Sequence, residues 1–398
     1  MNHNNRLATP HILYILTKLE LGGAQKVCLS LMQGLQNHGE KSSLISGSEG
    51  PLVEDAKKVT STYFLKSFKR EISFFGIWRE LYTFIEMVRA IKKIQAQYQN
   101  LIVHTHSTKA GIMGRWAAWF AGVNIRIHTV HGFGFHEHQK KIVWFMVYIC
   151  ELFTSFITTH FVCVSKKDRA QGTKLFPRFS QKSSIIHAAV DWEKFYQPAV
   201  KTTIFGFITP NIIKENNKKT FIIGTISCFK PQKNLFDLLQ AFKIVHEKNN
   251  AIKLHIVGDG ILREKIEQWI RDNKLTESIK LLGWQTNVAP IMQTWDIFSM
   301  SSLWEGLPCA IIEARLCKIP VVTYNVGGIA EVIHHEKNGF LIEPGNWQLL
   351  AEKIDLLIEN QQLRDQFKKF HDNLWDFDDK VMVRKHQMLY RSLSLTNS

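Results

Sequence analysis

Short apolar runs return along this chain at intervals wide enough to hold a helix, and this alternation constrains the fold more than any other feature. The runs fall at residues 11–16, 101–104, 125–130, 160–164, 222–227, 254–257, 279–282, 297–300 and 320–323. Strands that alternate with helices imply parallel sheets covered on both faces, an α/β architecture. The first run closes on a turn at Leu21-Gly22-Gly23, and an amphipathic helix is expected over residues 24–38.

A chain of 398 residues exceeds what one hydrophobic core supports, so two domains are expected. Between residues 198 and 220 the chain turns Lys- and Asn-rich around Gly206 and Pro210, the composition of a connection. The boundary is placed there, giving domains over 1–198 and 199–374, with a helix read from Trp375 onward.

Six scattered cysteines have no CxxC spacing and no dense framework, which argues against a zinc site or a disulfide scaffold and for a reducing compartment. The polar, Asn-rich start lacks the pattern of a secretory signal, so a cytoplasmic protein is expected. The apolar stretch over residues 142–164 raises a membrane span, but Glu151, Thr154, Ser155, Thr158, Thr159 and His160 interrupt it. An ionisable residue at mid-bilayer costs about 2.5–3.5 kcal/mol, which argues for a buried helix followed by a strand.

Lys and Arg number 50 against 35 Asp and Glu, a formal charge of +15 that suits nucleic acid, anionic lipid or phosphorylated ligands. In the first half, Lys66, Lys69, Arg70, Arg79, Arg89, Lys92 and Lys93 interleave with Phe64, Phe68, Phe74, Phe75, Trp78, Tyr82 and Phe84. That segment reads either as a face held against an anionic membrane or as a solvated helix surface over a core-facing aromatic stripe.

Two glutamates, Glu305 and Glu313, stand eight positions apart around Gly306-Leu307-Pro308. Proline is tolerated in a first helical turn, so Pro308 can open a helix that carries Glu313 in its second turn. A helix start presents backbone N–H groups and a positive dipole end to a diphosphate, while carboxylates beside it accept from hydroxyls. That is the chemistry of a nucleotide-sugar site.

Here the chain resembles the retaining glycosyltransferases of family 4, whose E-x7-E motif leads into Pro-Val-Val and a Gly-Gly turn. The continuation is Pro320-Val321-Val322, then Gly327-Gly328, then Gly339-Phe340-Leu341. Upstream lie Gly22-Gly23-Ala24-Gln25, His104-Thr105-His106-Ser107, Thr129-Val130-His131-Gly132 and Lys230-Pro231-Gln232-Lys233, in the family's order. The resemblance implies two Rossmann-like domains facing a cleft, the GT-B architecture, with a terminal element over 375–398 returning to the first domain.

It also implies roles. Gly22 and Gly23 lie near the donor phosphates or the reacting hydroxyl; His131 lies beside the transferred sugar; His106 and Ser107 are candidates for acceptor contact. Lys233 clamps the diphosphate, with Lys230 a candidate second cation where the family's arginine is replaced by Cys228. Glu305 meets sugar hydroxyls, Gly306 and Leu307 offer backbone N–H groups to the β-phosphate, and Glu313 holds the ribose. Gly283 and Trp284 fall in the loop near the base, although Trp284 reads equally as a core residue. No Asp-x-Asp stands at a strand end, and Asp376, Asp378 and Asp379 fall at a helix start, so no bound metal is expected.

The expected activity is transfer of a hexose or N-acetylhexosamine from a nucleotide diphosphate sugar to a glycan or lipid-linked acceptor, in polysaccharide or lipopolysaccharide synthesis. No other cofactor and no nucleic acid are expected, and location is expected in the cytoplasm or peripherally at the inner membrane face. The alternatives are a nucleotide-sugar epimerase or phosphorylase of the same fold, or a basic nucleic-acid-binding or non-catalytic partner protein.

Overall fold

Among the described residues of the computed structural model every pairing between strands is parallel, and the strands gather into two sheets. The structure describes residues 9–69, 76–137, 139–196 and 220–396. The first sheet holds β1 (His11–Leu16), β2 (Ser42–Ser46), β3 (Ser61–Phe64), β4 (Leu101–His106), β5 (Ile125–Val130), β6 (His160–Cys163) and β7 (Ser183–Ile185). The second holds β8 (Phe221–Ile226), β9 (Ile252–Val257), β10 (Ile279–Leu281), β11 (Ile297–Met300), β12 (Val321–Tyr324) and β13 (Gly339–Ile342).

The strand orders are β3-β2-β1-β4-β5-β6-β7 and β10-β9-β8-β11-β12-β13. Each sheet thus reverses direction beside its first strand, between β1 and β4 and between β8 and β11. This is the doubly wound arrangement, in which ligands bind outside the carboxyl ends of the strands at such reversals. The chain divides into two compact units, residues 1–190 with 375–398, and residues 191–374. The boundary expected between 198 and 199 lies outside the described residues, as do Arg70, Phe74 and Phe75.

All six residues of β1 are buried, the continuous burial of a strand covered on both faces. Within the first unit the terminal helix Asp379–Thr396 packs on the helix Gly23–Asn37 so closely that a Cβ at Gly34 would lie 2.3 Å from Val383. Val190 donates its N–H to Phe377 at 3.0 Å and accepts from Asp379 at 3.1 Å, which fixes where that helix begins.

The stretch over 142–164 forms a helix, Lys141–Ile157, followed by β6, but the helix is not buried as expected. Its buried residues are Glu151, Thr154 and Ser155. Arg115, wholly buried, donates Nη2 to Glu151 at 2.7 Å and Nη1 to Thr158 at 2.9 Å, and Trp116 donates Nε1 to Thr154 at 3.0 Å. Polar bonds hold one stripe of the inner side, Trp144, Val147, Tyr148 and Leu152 pack half-buried against the cluster of Phe135, Phe176 and Phe179, and Phe145, Met146, Phe153 and Phe156 face outward. Among the described residues no helix is long and apolar enough to cross a membrane.

Candidate active site

In the second unit the loops after β8, β10, β11 and β12 emerge at one edge, because parallel strands place all their carboxyl ends together. The β8 loop tightens into a 3-10 turn, Pro231–Lys233, and ends on Asn234 in the left-handed region at φ 43°. Hydrogen bonds tie it to the β11 loop. Leu303 donates its N–H to the Gln232 carbonyl at 2.9 Å, Gln232 Nε2 donates to the Trp304 carbonyl at 2.7 Å, and Ser301 Oγ donates to the Asn234 carbonyl at 2.9 Å.

The two loops are thereby stitched, and Lys233 Nζ donates to Glu305 Oε1. Their side chains are 18% and 9% exposed, open enough for a ligand to reach the ammonium.

Glu305 is held from behind as well. Gly328 donates its N–H to the Gly306 carbonyl, and Gly327 at φ 55° passes so near that a Cβ would lie 2.2 Å from the Glu305 carbonyl oxygen and 2.4 Å from that of Gly306. Only glycine combines that backbone angle with that approach. Gly306 and Leu307 are buried, and Pro308 stands at the N-cap, φ −75°, of the helix Cys309–Leu316. Glu313 falls on the second turn of that helix, 9% exposed.

Gly283, φ 64°, accepts from the Gly258 N–H at 2.8 Å beyond β10, and Trp284 beside it is 40% exposed, which removes the core reading of this tryptophan. Lys230 is half-buried, and its carbonyl accepts from the Lys233 N–H at 3.0 Å. Sequence reasoning passed over Gly258-Asp259-Gly260, whose Asp259 carbonyl accepts from the Phe229 N–H at 2.9 Å and so backs the lysine loop. The signal was a Gly-Asp-Gly directly after an apolar run.

In the first unit, Gly22 caps the helix Gly23–Asn37 in extended conformation after β1, and the Gln25 amide donates to the Lys18 carbonyl at 3.3 Å. Ser107, at φ 67° the first residue beyond β4, shares a hydroxyl bond of 3.0 Å with Thr17 after β1. A non-glycine residue in the left-handed region is strained, and such strain concentrates at functional sites.

His131 sits beyond β5 with its Nε2 3.0 Å from Nδ1 of His106. His106, expected as an acceptor contact, is 1% exposed, with its ring held against His131. The His104 ring in turn stands 4.5 Å from the His106 ring and is bonded to Tyr390 and Thr129, each at 2.7 Å. Tyr390 also bonds Tyr14 at 3.0 Å. No local pattern in the sequence marks Tyr14 and Tyr390, because their pairing spans 376 residues.

Burial pushes the His131 imidazole down to about 4, with nearby His386 adding to the shift, and pushes His104 and His106 well below the usual range. The whole stack is therefore neutral at pH 7. Neutral imidazole can donate or accept one hydrogen bond at each nitrogen, and with Nε2 engaged, Nδ1 remains for a ligand.

The three acids around the start of the terminal helix have structural employment. Asp376 pairs with Lys385 at 2.8 Å, Asp378 accepts from the Lys380 N–H at 2.9 Å, and Asp379 accepts from Ser30 at 3.1 Å. Among the described residues no group of three or more His, Cys, Asp or Glu is arranged to hold a metal ion.

Residues 21–194 match the model of Glycosyltransferase Family 4, and residues 209–373 match that of Glycosyl transferases group 1. A UDP-Gal:alpha-D-GlcNAc-diphosphoundecaprenol alpha-1,3-galactosyltransferase of Escherichia coli is 34% identical over 332 residues, 81% of each chain. The capsular polysaccharide biosynthesis glycosyltransferase CapM of Staphylococcus aureus is 26% identical over 317 residues, 75% of this chain and 76% of that one.

Two solved structures share the fold. HepE of Anabaena, in complex with UDP and glucose, superposes with a TM-score of 0.77 at 18% identity, covering 96% of this chain and 99% of that one. Sucrose-phosphate synthase of Thermosynechococcus elongatus gives 0.77 at 17% identity, covering 98% and 100%. With two doubly wound sheets, and with a relative above 30% identity aligned over most of both chains, this chain belongs to the glycosyltransferases of family 4, with the GT-B fold.

Proposed function

We propose that this enzyme transfers a hexose or N-acetylhexosamine from a uridine diphosphate sugar to a saccharide carried on a lipid diphosphate, with retained anomeric configuration, in the assembly of a cell-surface polysaccharide or lipopolysaccharide. The observation that carries the reading is the Lys233–Glu305 pair beside the start of the helix bearing Glu313. An ammonium has three donors, so one bond to Glu305 leaves two for a diphosphate. The Escherichia coli relative, named for a UDP-galactose donor and a diphosphoundecaprenol acceptor, supports the choice of substrates.

Retention requires either a covalent intermediate or attack on the face that the leaving group vacates. Glu305 is engaged by Lys233 and Glu313 is assigned to the ribose, so neither carboxylate of the set is left to act as nucleophile. The reading is therefore same-face attack. The bond from the anomeric carbon to the phosphate oxygen breaks, the acceptor oxygen bonds to that carbon, and the acceptor's proton passes to the departing phosphate. Lys233 and the helix start offset the charge growing on that phosphate, which is the contribution a metal makes in other enzymes. His131 meets the transferred sugar as a neutral partner, and His106 acts through His131 instead of on the acceptor.

None of the six cysteines is in a disulfide, which supports a reading of work on the reducing, cytoplasmic side of the membrane. Thermal denaturation with UDP, GDP and ADP tests the donor reading. A nucleotide at a hundred times its dissociation constant stabilises by about 2.7 kcal/mol, and UDP is expected to give the largest shift. No shift with any of the three would contradict it.

A further inference from the structure

Three helices of the first unit pack side by side, Ile77–Gln95 against Thr108–Phe120 and Thr108–Phe120 against Lys141–Ile157. Phe84 and Phe120 meet edge to face at 5.8 Å across the first contact, and the Arg115–Glu151 ion pair crosses the second. Their outer sides are apolar. On the third helix Phe145, Met146, Phe153 and Phe156 are 56–64% exposed, and on the first Trp78 is 78% and Tyr82 55% exposed. Single exposed hydrophobes are ordinary, but a contiguous face of this kind on neighbouring helices marks a binding surface.

We infer that this face lies on an anionic phospholipid bilayer, entering it to the depth of the exposed side chains. Two observations choose the occupant. On the first helix the stripe of Trp78, Tyr82 and Ile85 continues in steps of three and four to Arg89, Lys92 and Lys93, all exposed, so aromatic residues and cations share one side. Lys140 and Lys141, also exposed, open the third helix. An apolar centre with aromatic residues and a cationic rim is the composition of a helix lying in a lipid interface. A second copy of the chain on the same patch would bring these cations together, which charge complementarity disfavours.

The structure also revises which cations act. Arg79 is paired with Glu80 at 3.0 Å and Lys69 with Glu49 at 3.8 Å, so the start of the basic segment is partly neutralised within the protein. Ile77, Trp78, Ile142 and Val143 open their helices at the carboxyl edge of the first sheet, the edge that carries Ser107 and His131. A lipid-linked acceptor would present its head group there. That purpose rests on the acceptor proposed above; the docking itself does not.

Flotation of the full chain with vesicles of phosphatidylcholine, with and without phosphatidylglycerol, tests the inference. Wild-type protein should float with the anionic vesicles, and added salt should weaken but not abolish this, because the apolar contact is indifferent to screening. Replacing Phe145, Phe153 and Phe156 together with Ser should release it; the side chains are exposed, so folding should survive, with an unchanged UDP-induced thermal shift as the control. Arg89→Gln, Lys92→Gln and Lys93→Gln together should weaken binding to anionic vesicles by about 100-fold, at roughly tenfold or less per basic residue. Wild-type protein that stays behind at low salt, or a triple Ser variant that floats as well as wild type, would overturn the inference. Loss of dimers in the triple Ser variant without any vesicle binding in wild type would assign the face to a second copy instead. Loss of the UDP shift with flotation intact would count against the donor reading alone.

Discussion

The Lys233 ammonium and the Glu305 carboxylate are bonded across 72 residues of sequence, each delivered by a loop at the carboxyl edge of the second sheet. With the ammonium set by Glu305 and proposed to meet the diphosphate, Lys233→Ala should cut turnover by about 100- to 1,000-fold, the usual effect of deleting one group that stabilises developing charge. Uridine should bind the variant nearly as well as wild type while UDP binds less tightly. Equal losses for both would remove the phosphate role.

Gly327 tests how that pair is supported. In Gly327→Ala the new Cβ meets the Glu305 and Gly306 carbonyls at 2.2 and 2.4 Å, so the Glu305 loop must move. Strain of this kind costs about 1–3 kcal/mol. Gly345, at φ 86°, has nothing within 4 Å of where a Cβ would stand and serves as the comparison. Calorimetry and UDP titration should find both stability and nucleotide affinity reduced in Gly327→Ala, and affinity unchanged in Gly345→Ala.

Glu313 is assigned to the ribose. Loss of charge-assisted bonds worth about 1.5–3 kcal/mol would weaken UDP binding by roughly 10- to 100-fold in Glu313→Ala. Titration of a folded variant with undiminished affinity would end that assignment.

His106 should act by holding His131. His106→Ala is expected to lower kcat by about 10- to 100-fold, in line with the cost of a misplaced catalytic group, with the donor KM nearly constant. His106→Asn, whose amide can stand in for Nδ1, should recover part of the loss. A change confined to the acceptor KM would return His106 to the acceptor.

Acid should destabilise the first unit before the second. In the native state His11, His131, His160 and His386 are pushed down from 6.5 to about 4, whereas the unfolded chain binds protons at the ordinary value. Their neutral burial therefore contributes fully above pH 6.5, and stability is lost as pH falls from there toward 4. Melting midpoints should drop steadily over that window. A midpoint independent of pH between 7 and 4.5 would show that these rings are not the ones that must charge.

The alternation of strand and helix was legible because each central strand carries several apolar residues, as in Leu101-Ile102-Val103 of β4. β2, with three serines in five residues, and β7, Ser-Ser-Ile, carry no such run; the Ser43 hydroxyl instead bonds His11 at 2.9 Å. The direction of the helix Lys141–Ile157 was misjudged for a different reason. Apolar residues occupy most of its circumference, so hydrophobicity does not separate Trp144, Val147, Tyr148 and Leu152, which pack on the core, from Phe145, Met146, Phe153 and Phe156, which face outward; the polar set at 151, 154, 155 and 158 marks the buried stripe. Lys233, Glu305 and Gly327 could be placed in loops from the sequence because β8, β11 and β12 end on recognisable apolar runs just before them. The contact between His106 and His131 depends on ring orientation across adjacent strands, which spacing does not encode.

The central claim is that a new glycosidic bond forms with the donor's configuration. Purified enzyme would be incubated with a UDP-hexose and an N-acetylglucosamine-diphospholipid, and the lipid product analysed by mass spectrometry and by the anomeric proton coupling in NMR. The account predicts one added hexose in the α configuration of the donor, with UDP released in equal amount. An inverted linkage would contradict the same-face mechanism, and an isomerised nucleotide sugar or a free sugar phosphate, with the lipid unchanged, would contradict the transferase itself.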